Sequence, residues 1–412
     1  MKLKQTSSNS PKVSSEDKAK YEKEKNLIIK NINESKFGFL EELKKPRLNE
    51  IYNLIDHLKR FDNVLFLGTG GSSLGGKTLV SISDNYFSTK LKPKIFFIEN
   101  VDCLSISSLM ENINLEKTAV VVTSKSGETI ETISQLCFIL DEFKNMKIPT
   151  KKHFVIITES KDSTLKKIKE VKEFSFLEHS SIIGGRFSIF SIVGLIPAKL
   201  SGFNIELFCS SGLNFFNEVA SDTKLFDYYF NSSLNQYILS KNEKCTSVIM
   251  PYVDSLFNLS LWYRQLLAES SGKNGVGITP LNSIGTVDQH SQLQLYLDGP
   301  KDKTFSFISR KKIKSNKLDC SWIDNKLSFL NHRSLEDLLY SEMLATSETL
   351  IRKKLPVRRI ELECVDEESI AELISFFIIE AILICKLLGV NPFDQPAVEE
   401  SKILTKKFLN EI

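Results

Sequence analysis

The sequence predicts an α/β fold in which parallel sheets are covered by helices on both faces. Apolar runs of strand length, at 63–67, 94–98, 119–122 and 153–157, alternate with segments whose apolar residues recur at helical spacing. This alternation is typical of consecutive βαβ units. A length of 412 residues is too great for one ordinary core and predicts two domains.

The composition excludes several classes of protein. Hydrophobic residues make up 42% and charged residues 25% of the chain, as in a soluble globular protein. The net charge of +3 gives no reason to expect nucleic acid or an acidic membrane surface as a partner. The seven cysteines are scattered and never spaced C-x-x-C, which favours reduced thiols in a cytoplasmic protein over disulfides or a zinc site.

Two other segments bear on location and order. Residues 1–11 are polar and do not resemble a signal peptide, and residues 1–24, rich in Ser and Lys, are expected to be frayed or partly helical. The most apolar stretch, 370–388, is interrupted by three charged residues. It therefore predicts a buried helix and no membrane span.

The loop after the first predicted strand is open to two interpretations. Residues 71–78, GSSLGGKT, match the Walker A pattern, which would predict a nucleotide triphosphate site. In a P-loop the strand leads directly into the first glycine, whereas here residues 68–70 separate Leu67 from that glycine. We interpret the loop as a Gly/Ser turn where the backbone can approach a ligand closely.

Residues 119–132, AVVVTSKSGETIET, predict an anion site. A β-branched strand ends in a hydroxyl-rich turn, and helical periodicity starts directly after it. The free N–H groups and the positive dipole end of such a helix attract an anion. Ser124, Ser126 and Thr129 can donate hydroxyl hydrogens and Lys125 can add charge, although a serine here could also only cap the helix. Four possible donors in six residues favour a phosphorylated small molecule.

A second series of strands and helices begins near residue 226. Its predicted strands are 246–250, 305–308 and 359–364, and its predicted helices are 254–268, 342–353 and 367–388. The basic runs at 310–317 and 352–359 have no interleaved aromatic residues that could stack on bases, so we interpret them as solvated faces.

Three titratable residues stand in unusual surroundings. Arg186 follows two glycines, so it could stabilise charge on a closely bound ligand or form a surface salt bridge. Glu269 ends an apolar helical stripe at a polar loop, and His290 lies in a second polar cluster. With the phosphate turn, they suit proton transfer on a sugar phosphate. The carboxylate would move a proton between adjacent carbons, and the imidazole would act on a ring oxygen.

Six segments in order resemble the signatures of the glucose-6-phosphate isomerase family. They are FLGTGGSSLGG, TSKSGET, GGRFSIFSIVG, ESSGKNG, TVDQHSQ and NPFDQPAVEESK. The resemblance implies two sugar-isomerase (SIS) domains, each a parallel sheet between helices, with a C-terminal helix packing back on the body. The implied ranges are an N-terminal tail and helix at 1–36, SIS domains at 37–222 and 223–388, and the C-terminal helix at 389–412.

The resemblance also implies a role for each residue of the site. Glu269 would move the proton between C1 and C2, Arg186 would stabilise the enediolate, and His290 would assist ring opening. Gln395 and Lys402 would close the site from the C-terminal helix. The substrate would be held by Gly71, Ser72, Ser124, Lys125, Ser126 and Thr129, the last four mainly on its phosphate.

The implied activity is the interconversion of glucose 6-phosphate and fructose 6-phosphate, a step of glycolysis and gluconeogenesis. No metal and no cofactor are expected. In this family the histidine reaches the site from the neighbouring subunit, so the resemblance implies a homodimer with shared active sites.

Three alternatives stay open at this point. A P-loop ATPase based on residues 71–78 would bind nucleotide with magnesium. A non-catalytic SIS protein that senses a sugar phosphate would keep the serine loops without needing Glu269 and His290 together. Another phosphosugar isomerase, including one that also accepts mannose 6-phosphate, is the nearest enzymatic alternative.

Overall fold

Two five-stranded sheets form the framework of the protein. The computed structural model describes residues 2–83, 92–322 and 325–412. In these residues the strands are β1 (Leu3–Ser8), β2 (Asn63–Leu67), β3 (Lys94–Ile98), β4 (Thr118–Thr123), β5 (Phe154–Thr158), β6 (Ser175–Glu178), β7 (Thr246–Pro251), β8 (Thr279–Asn282), β9 (Lys303–Arg310) and β10 (Val357–Leu362).

Helices cover both sheets. They are α1 (Ser15–Asn33), α2 (Gly38–Lys44), α3 (Leu48–Leu58), α4 (Leu74–Ser83), α5 (Cys103–Asn112), α6 (Ile130–Asn145), α7 (Thr164–Lys172), α8 (Ile192–Leu200), α9 (Ile205–Ser221), α10 (Thr223–Lys241), α11 (Phe257–Ser271), α12 (Leu293–Asp298), α13 (Leu335–Arg352), α14 (Glu367–Leu388) and α15 (Glu399–Leu409). Short 3₁₀ turns at Gly70–Ser72, Gly185–Phe190 and Val287–His290 carry several of the predicted site residues.

The first sheet is parallel throughout and has the order β3-β2-β4-β5-β6. Its central strands β2, β4 and β5 are buried at every position, as their continuous apolar sequences predict. The α/β fold class is therefore confirmed. Strand β6 was not predicted, since it is short and only Leu177 in it is buried.

The second sheet has the order β1-β10-β9-β7-β8, and only β1 runs antiparallel to its neighbour. The expectation that residues 1–24 are frayed or partly helical is wrong for β1. Its sequence is polar, but all six residues pair with β10, and the Glu372 carboxylate accepts hydrogen bonds from the backbone N–H groups of Lys2 (2.8 Å) and Leu3 (3.2 Å). Backbone pairing at a sheet edge, which sequence polarity does not reveal, orders this segment.

Helix α14 lies in the main hydrophobic core, which also contains residues from the faces of both sheets. The predicted buried helix at 367–388 is confirmed, and in the described part of the chain no helix is long and apolar enough to cross a membrane. Glu380 is fully buried on α14 and forms a bidentate ion pair with Arg358 of β10. It also accepts a 2.9 Å hydrogen bond from Tyr263 of α11. Helix α9 ends at Ser221 and α10 begins at Thr223, and the domain boundary at 222–223 stays a prediction.

A C-terminal helix forms within the range predicted for it, at Glu399–Leu409 of 389–412, but it does not pack back on the body of its own chain. Every residue of α15 is exposed. Leu404 and Phe408 lie four residues apart on α15 and form an apolar face that is exposed to solvent. This part of the predicted fold is wrong for the single chain, because the surface that would cover that face is not supplied by the chain itself.

Candidate active site

The site lies where the strand order of the first sheet reverses. The chain passes from β2 outward to β3 and then returns to β4 on the other side of β2. Loops at the carboxyl ends of β2 and β4 therefore diverge and leave a crevice, which is where open α/β sheets bind ligands. The loop after β2 contains Gly71 and Ser72, and the loop after β4 contains the hydroxyl-rich turn at 124–129.

Three hydroxyl groups converge at the N-terminus of α6. The Ser124 Oγ lies 2.8 Å from the Thr129 Oγ1 and 3.5 Å from the Ser126 Oγ. Thr129 is the N-cap residue of α6, yet its side chain makes no capping hydrogen bond. The first-turn N–H groups and the helix dipole are thus free of a capping side chain, which makes this turn suited to an anion. Gly127 turns the chain with φ +71° and donates its N–H to the Ser124 Oγ at 3.2 Å.

Backbone contact holds the β2 loop against the turn that carries Arg186. A Cβ atom on Gly71 would lie 2.2 Å from the carbonyl carbon of Gly185, so no side chain fits there. The Ser188 hydroxyl also donates to the Gly71 carbonyl at 3.0 Å. The glycine at 71 therefore allows the close spacing of these two loops, with Ser72 at the end of the 3₁₀ turn Gly70–Ser72.

Arg186 is the most constrained side chain of the site. It is 3% exposed, and its Nε donates to the Ser270 Oγ at 2.9 Å. Its Nη2 donates to the backbone carbonyls of Pro392 (2.6 Å) and Asp394 (3.0 Å). Burial lowers the pKa of the Arg186 guanidinium, and the nearby Glu269 carboxylate counteracts that effect. The surface salt bridge that the sequence left open for Arg186 is therefore not its environment.

Glu269 faces this guanidinium from the last turns of α11. Its Oε2 lies 3.2 Å from the Arg186 Nη1, and its Oε1 accepts a 2.9 Å hydrogen bond from the Gln265 amide. The Glu269 side chain is 34% exposed, so it remains accessible to a ligand. Sequence reasoning missed Gln265; its position four residues before Glu269, on the same helical face, was the available signal.

Gln395 joins the cluster from the segment before α15. Its Oε1 accepts a 3.1 Å hydrogen bond from the Arg186 Nη1, the atom that also contacts Glu269. Lys273 forms an ion pair with Asp394 at 3.0 Å and helps to hold this segment. The structure thus brings Arg186, Glu269 and Gln395 together, although they are far apart in the sequence.

Comparison with known proteins identifies the family. The model of the family described as phosphoglucose isomerase matches residues 56–412. The chain belongs to the phosphoglucose isomerase family. It is similar to a probable glucose-6-phosphate isomerase of Methanococcus maripaludis, at 34% identity over 90% of this chain and 84% of the relative.

A second relative agrees with this assignment, and a solved structure shares the fold. A glucose-6-phosphate isomerase of Campylobacter jejuni is 34% identical over 87% of this chain and 89% of its own length. The solved structure of a hypothetical protein from Thermus thermophilus has the same fold, with a TM-score of 0.84 and 25% identity over 96% of both chains.

Two residues that resemblance to the phosphoglucose isomerase family assigned to the site lie outside this cluster. His290 is exposed at the end of the 3₁₀ turn Val287–His290, and its side chain makes no hydrogen bond or ion pair within the described residues. Lys402 is exposed on α15, and its ammonium lies 2.6 Å from the carboxylate of Glu399 on the same helix. Neither residue contacts Arg186 or Glu269 through a polar bond in the single chain.

Two lysines have partners that the sequence did not indicate. The Lys125 ammonium donates to the backbone carbonyls of Ser181 and Ile183, both at 2.8 Å, instead of standing free above the anion turn. Lys77, the lysine of the Walker-like motif, forms an ion pair with Glu99. Within the described ranges there is no group of three or more His, Cys, Asp or Glu side chains that could hold a metal ion.

Proposed function

We propose that this chain interconverts glucose 6-phosphate and fructose 6-phosphate. The observation that carries the proposal is the Arg186–Glu269 pair, 3.2 Å apart, in a member of the phosphoglucose isomerase family whose chain also forms a three-hydroxyl turn at the N-terminus of α6. A carboxylate that is partly open to solvent can accept a proton from carbon, and a fixed guanidinium can stabilise the oxyanion that results.

The substrate spans the crevice between the anion turn and the Arg186–Glu269 pair. Its phosphate binds the hydroxyls of Ser124, Ser126 and Thr129 and the N-terminus of α6, where the helix dipole favours an anion. Its sugar carbons lie over the glycine-rich β2 loop, with Gly71 and Ser72 in contact. Gln395 also belongs to this substrate site, and Lys125 lies within its anion turn.

The reaction is a proton transfer between neighbouring carbons of the opened sugar. Glu269 removes the proton from C2, the electron pair forms the C1=C2 double bond, and the aldehyde oxygen becomes an oxyanion that faces Arg186. The protonated Glu269 then returns the proton to C1, and the proton of the C2 hydroxyl passes to the oxyanion on C1. The C2 oxygen thereby becomes the ketone and the C1 oxygen becomes a hydroxyl. Arg186 acts in both directions of the reaction, because both pass through the same enediolate.

The active enzyme is a homodimer in which each subunit completes the site of the other. Two observations support this. His290, the candidate for ring opening, is exposed and has no polar contact with Glu269 in its own chain. Exposed apolar side chains also lie near both segments: Val287 in the 3₁₀ turn of His290, and Leu404 and Phe408 on α15. A second subunit that covers these side chains would gain hydrophobic free energy and could bring His290 to a neighbouring site.

Mixing two inactive variants tests the shared site. Glu269→Gln and His290→Ala chains are dissociated, mixed in equal amounts and allowed to reassemble. With random pairing half the dimers are mixed, and one of the two sites in each has both intact residues. The mixture should regain about a quarter of wild-type activity, as two-fold symmetry requires. A mixture as inactive as its parents would place both residues of a site in one chain.

A coupled assay tests the activity itself. Fructose 6-phosphate is supplied, and glucose 6-phosphate is detected through its oxidation by an NADP-dependent dehydrogenase. Turnover without added magnesium or ATP is expected, with deuterium entering the sugar from heavy water. Binding without turnover would support a non-catalytic sensor, and comparison with mannose 6-phosphate would define the substrate range.

We infer that this activity serves glycolysis and gluconeogenesis in the cytoplasm. The cysteines support this location, since all seven are unpaired thiols.

A further inference from the structure

The Lys125 side chain connects two parts of the site. Its ammonium has three hydrogen atoms to donate. Two of them reach the backbone carbonyls of Ser181 and Ile183 at 2.8 Å, and the carboxylate of Glu159 lies 3.7 Å away. Burial lowers the pKa of the Lys125 ammonium, with Glu159 acting in the opposite direction. The ammonium is thus committed to protein acceptors, and its charge faces a carboxylate.

These contacts join the anion turn to the segment that precedes Arg186. Lys125 lies inside the turn, between Ser124 and Ser126. Ile183 lies three residues before Arg186 and leads into it through the two glycines. Within the described residues, no other hydrogen bond links the turn at 124–129 to the segment at 179–186. The side chain therefore acts as a strut between two loops that leave the sheet from different strands.

The spacing of these loops matters for a substrate that is held at one end and reacts at the other. Under the proposed function, on which this inference rests, the phosphate is fixed at the turn and the reacting carbons must face Arg186 and Glu269. A misplacement of about 1 Å in such a site costs about 10²-fold in rate. We propose that Lys125 is a positioning residue, whose side chain sets the distance between the phosphate turn and the Arg186 loop and does not itself bind the phosphate.

A matched pair of variants separates positioning from direct binding. Lys125→Met removes the ammonium and keeps the length of the stem, which borders a cavity of about 320 Å³ lined in part by Phe37 and Phe187. Lys161→Met is the control, because Lys161 pairs with the other oxygen of Glu159 but donates to neither loop carbonyl. Both variants remove one positive charge beside the same carboxylate, and only the first removes the strut.

The measurements are kcat, KM, the inhibition constant of inorganic phosphate and the thermal unfolding midpoint. For Lys125→Met we expect kcat to fall at least about tenfold, while the inhibition constant of phosphate stays within about threefold. Lys161→Met should match the wild type in both quantities. Lys125→Arg, which still offers donors to the two carbonyls, should recover most of the lost kcat.

Several results would overturn the inference. A rise of about tenfold or more in the phosphate inhibition constant of Lys125→Met, with kcat unchanged, would make Lys125 a direct ligand. Unchanged values of both quantities would show that the strut is dispensable. A folded Lys125→Arg variant with a kcat at least about tenfold below that of the wild type would also contradict it, and this test remains valid if the methionine variant unfolds. An inactive wild-type protein would instead refute the proposed function.

Discussion

Replacing Glu269 with glutamine tests the proposed proton transfer most directly. The amide keeps the shape of the side chain but cannot accept a proton from carbon. Positioned acid–base groups contribute roughly 10²–10⁴-fold. Since each factor of ten corresponds to about 1.36 kcal/mol, the barrier should rise by about 2.7–5.4 kcal/mol.

The structure indicates that this substitution leaves the rest of the site in place. The amide oxygen can still accept from Arg186, and the new NH₂ group can turn toward Gln265. The Gln265 Oε1 has no hydrogen-bond partner in the described residues, so its amide can rotate to accept this NH₂. Arg186 also keeps its bonds to Ser270, Gln395 and two backbone carbonyls. We therefore expect KM to change by only a few-fold.

Glu269→Asp supplies the matched control. It retains a carboxylate but withdraws it by about one carbon–carbon bond, about 1.5 Å, which should cost on the order of 10²-fold. Turnover is followed by the coupled assay, and deuterium incorporation at C2 is followed by NMR in heavy water. A Glu269→Gln enzyme within tenfold of the wild type in both measurements would refute Glu269 as the base.

Four further outcomes are expected. Ser124→Ala should raise KM by about 10–100-fold with little change in kcat. One hydrogen bond to a charged phosphate contributes about 1.5–3 kcal/mol, and it does so in both the ground state and the transition state. Steady-state kinetics measure kcat and KM separately. Lys77→Ala and exhaustive chelation should each leave turnover within a few-fold, whereas a large loss or measurable ATP hydrolysis would favour the P-loop alternative. Glu380→Leu should lower the free energy of unfolding by about 3–5 kcal/mol, since it leaves the Arg358 charge buried without its partner. Denaturant unfolding measures this loss, and the double variant with Arg358→Met should recover much of the free energy of unfolding. Burial lowers the pKa of His179, so the folded state binds fewer protons at this residue than the unfolded state does. The neutral His179 side chain therefore stabilises the folded state fully above about pH 6.5, and this stabilisation is lost as the pH falls toward the folded pKa. His179→Asn should flatten the dependence of the unfolding midpoint on pH.

Local patterns were sufficient to predict much of the fold. The strands β2, β3, β4 and β5 lie at or within two residues of their predicted positions, because strands buried in a parallel sheet need continuous apolar residues. The helix at 367–388 was predicted to the residue. Helix α13, predicted at 342–353, begins seven residues earlier at Leu335, where Ser334 and Asp337 form a capping box that was overlooked.

Other features were beyond the reach of local patterns. Strand β1 is too polar to be predicted as a strand, and it is ordered by pairing with a distant strand, β10, near the other end of the chain. The partners of Lys125 are backbone carbonyls, which every residue has, so no sequence signal could have indicated them. Helix α15 was expected to pack on the body, but whether an apolar face is covered depends on which surface stands opposite it.

The sequence by itself determined the family, the α/β class and the hydroxyl turn at 124–129, because these depend on residues that are close neighbours along the chain. Only the tertiary structure decided that Arg186, Glu269 and Gln395 meet at one guanidinium, and that His290 and Lys402 do not join them in the single chain. The reason is physical: a turn or a strand is fixed by local sterics and hydrogen bonding, whereas side chains that are distant in the sequence meet only where the packing of sheets and helices brings their backbones together.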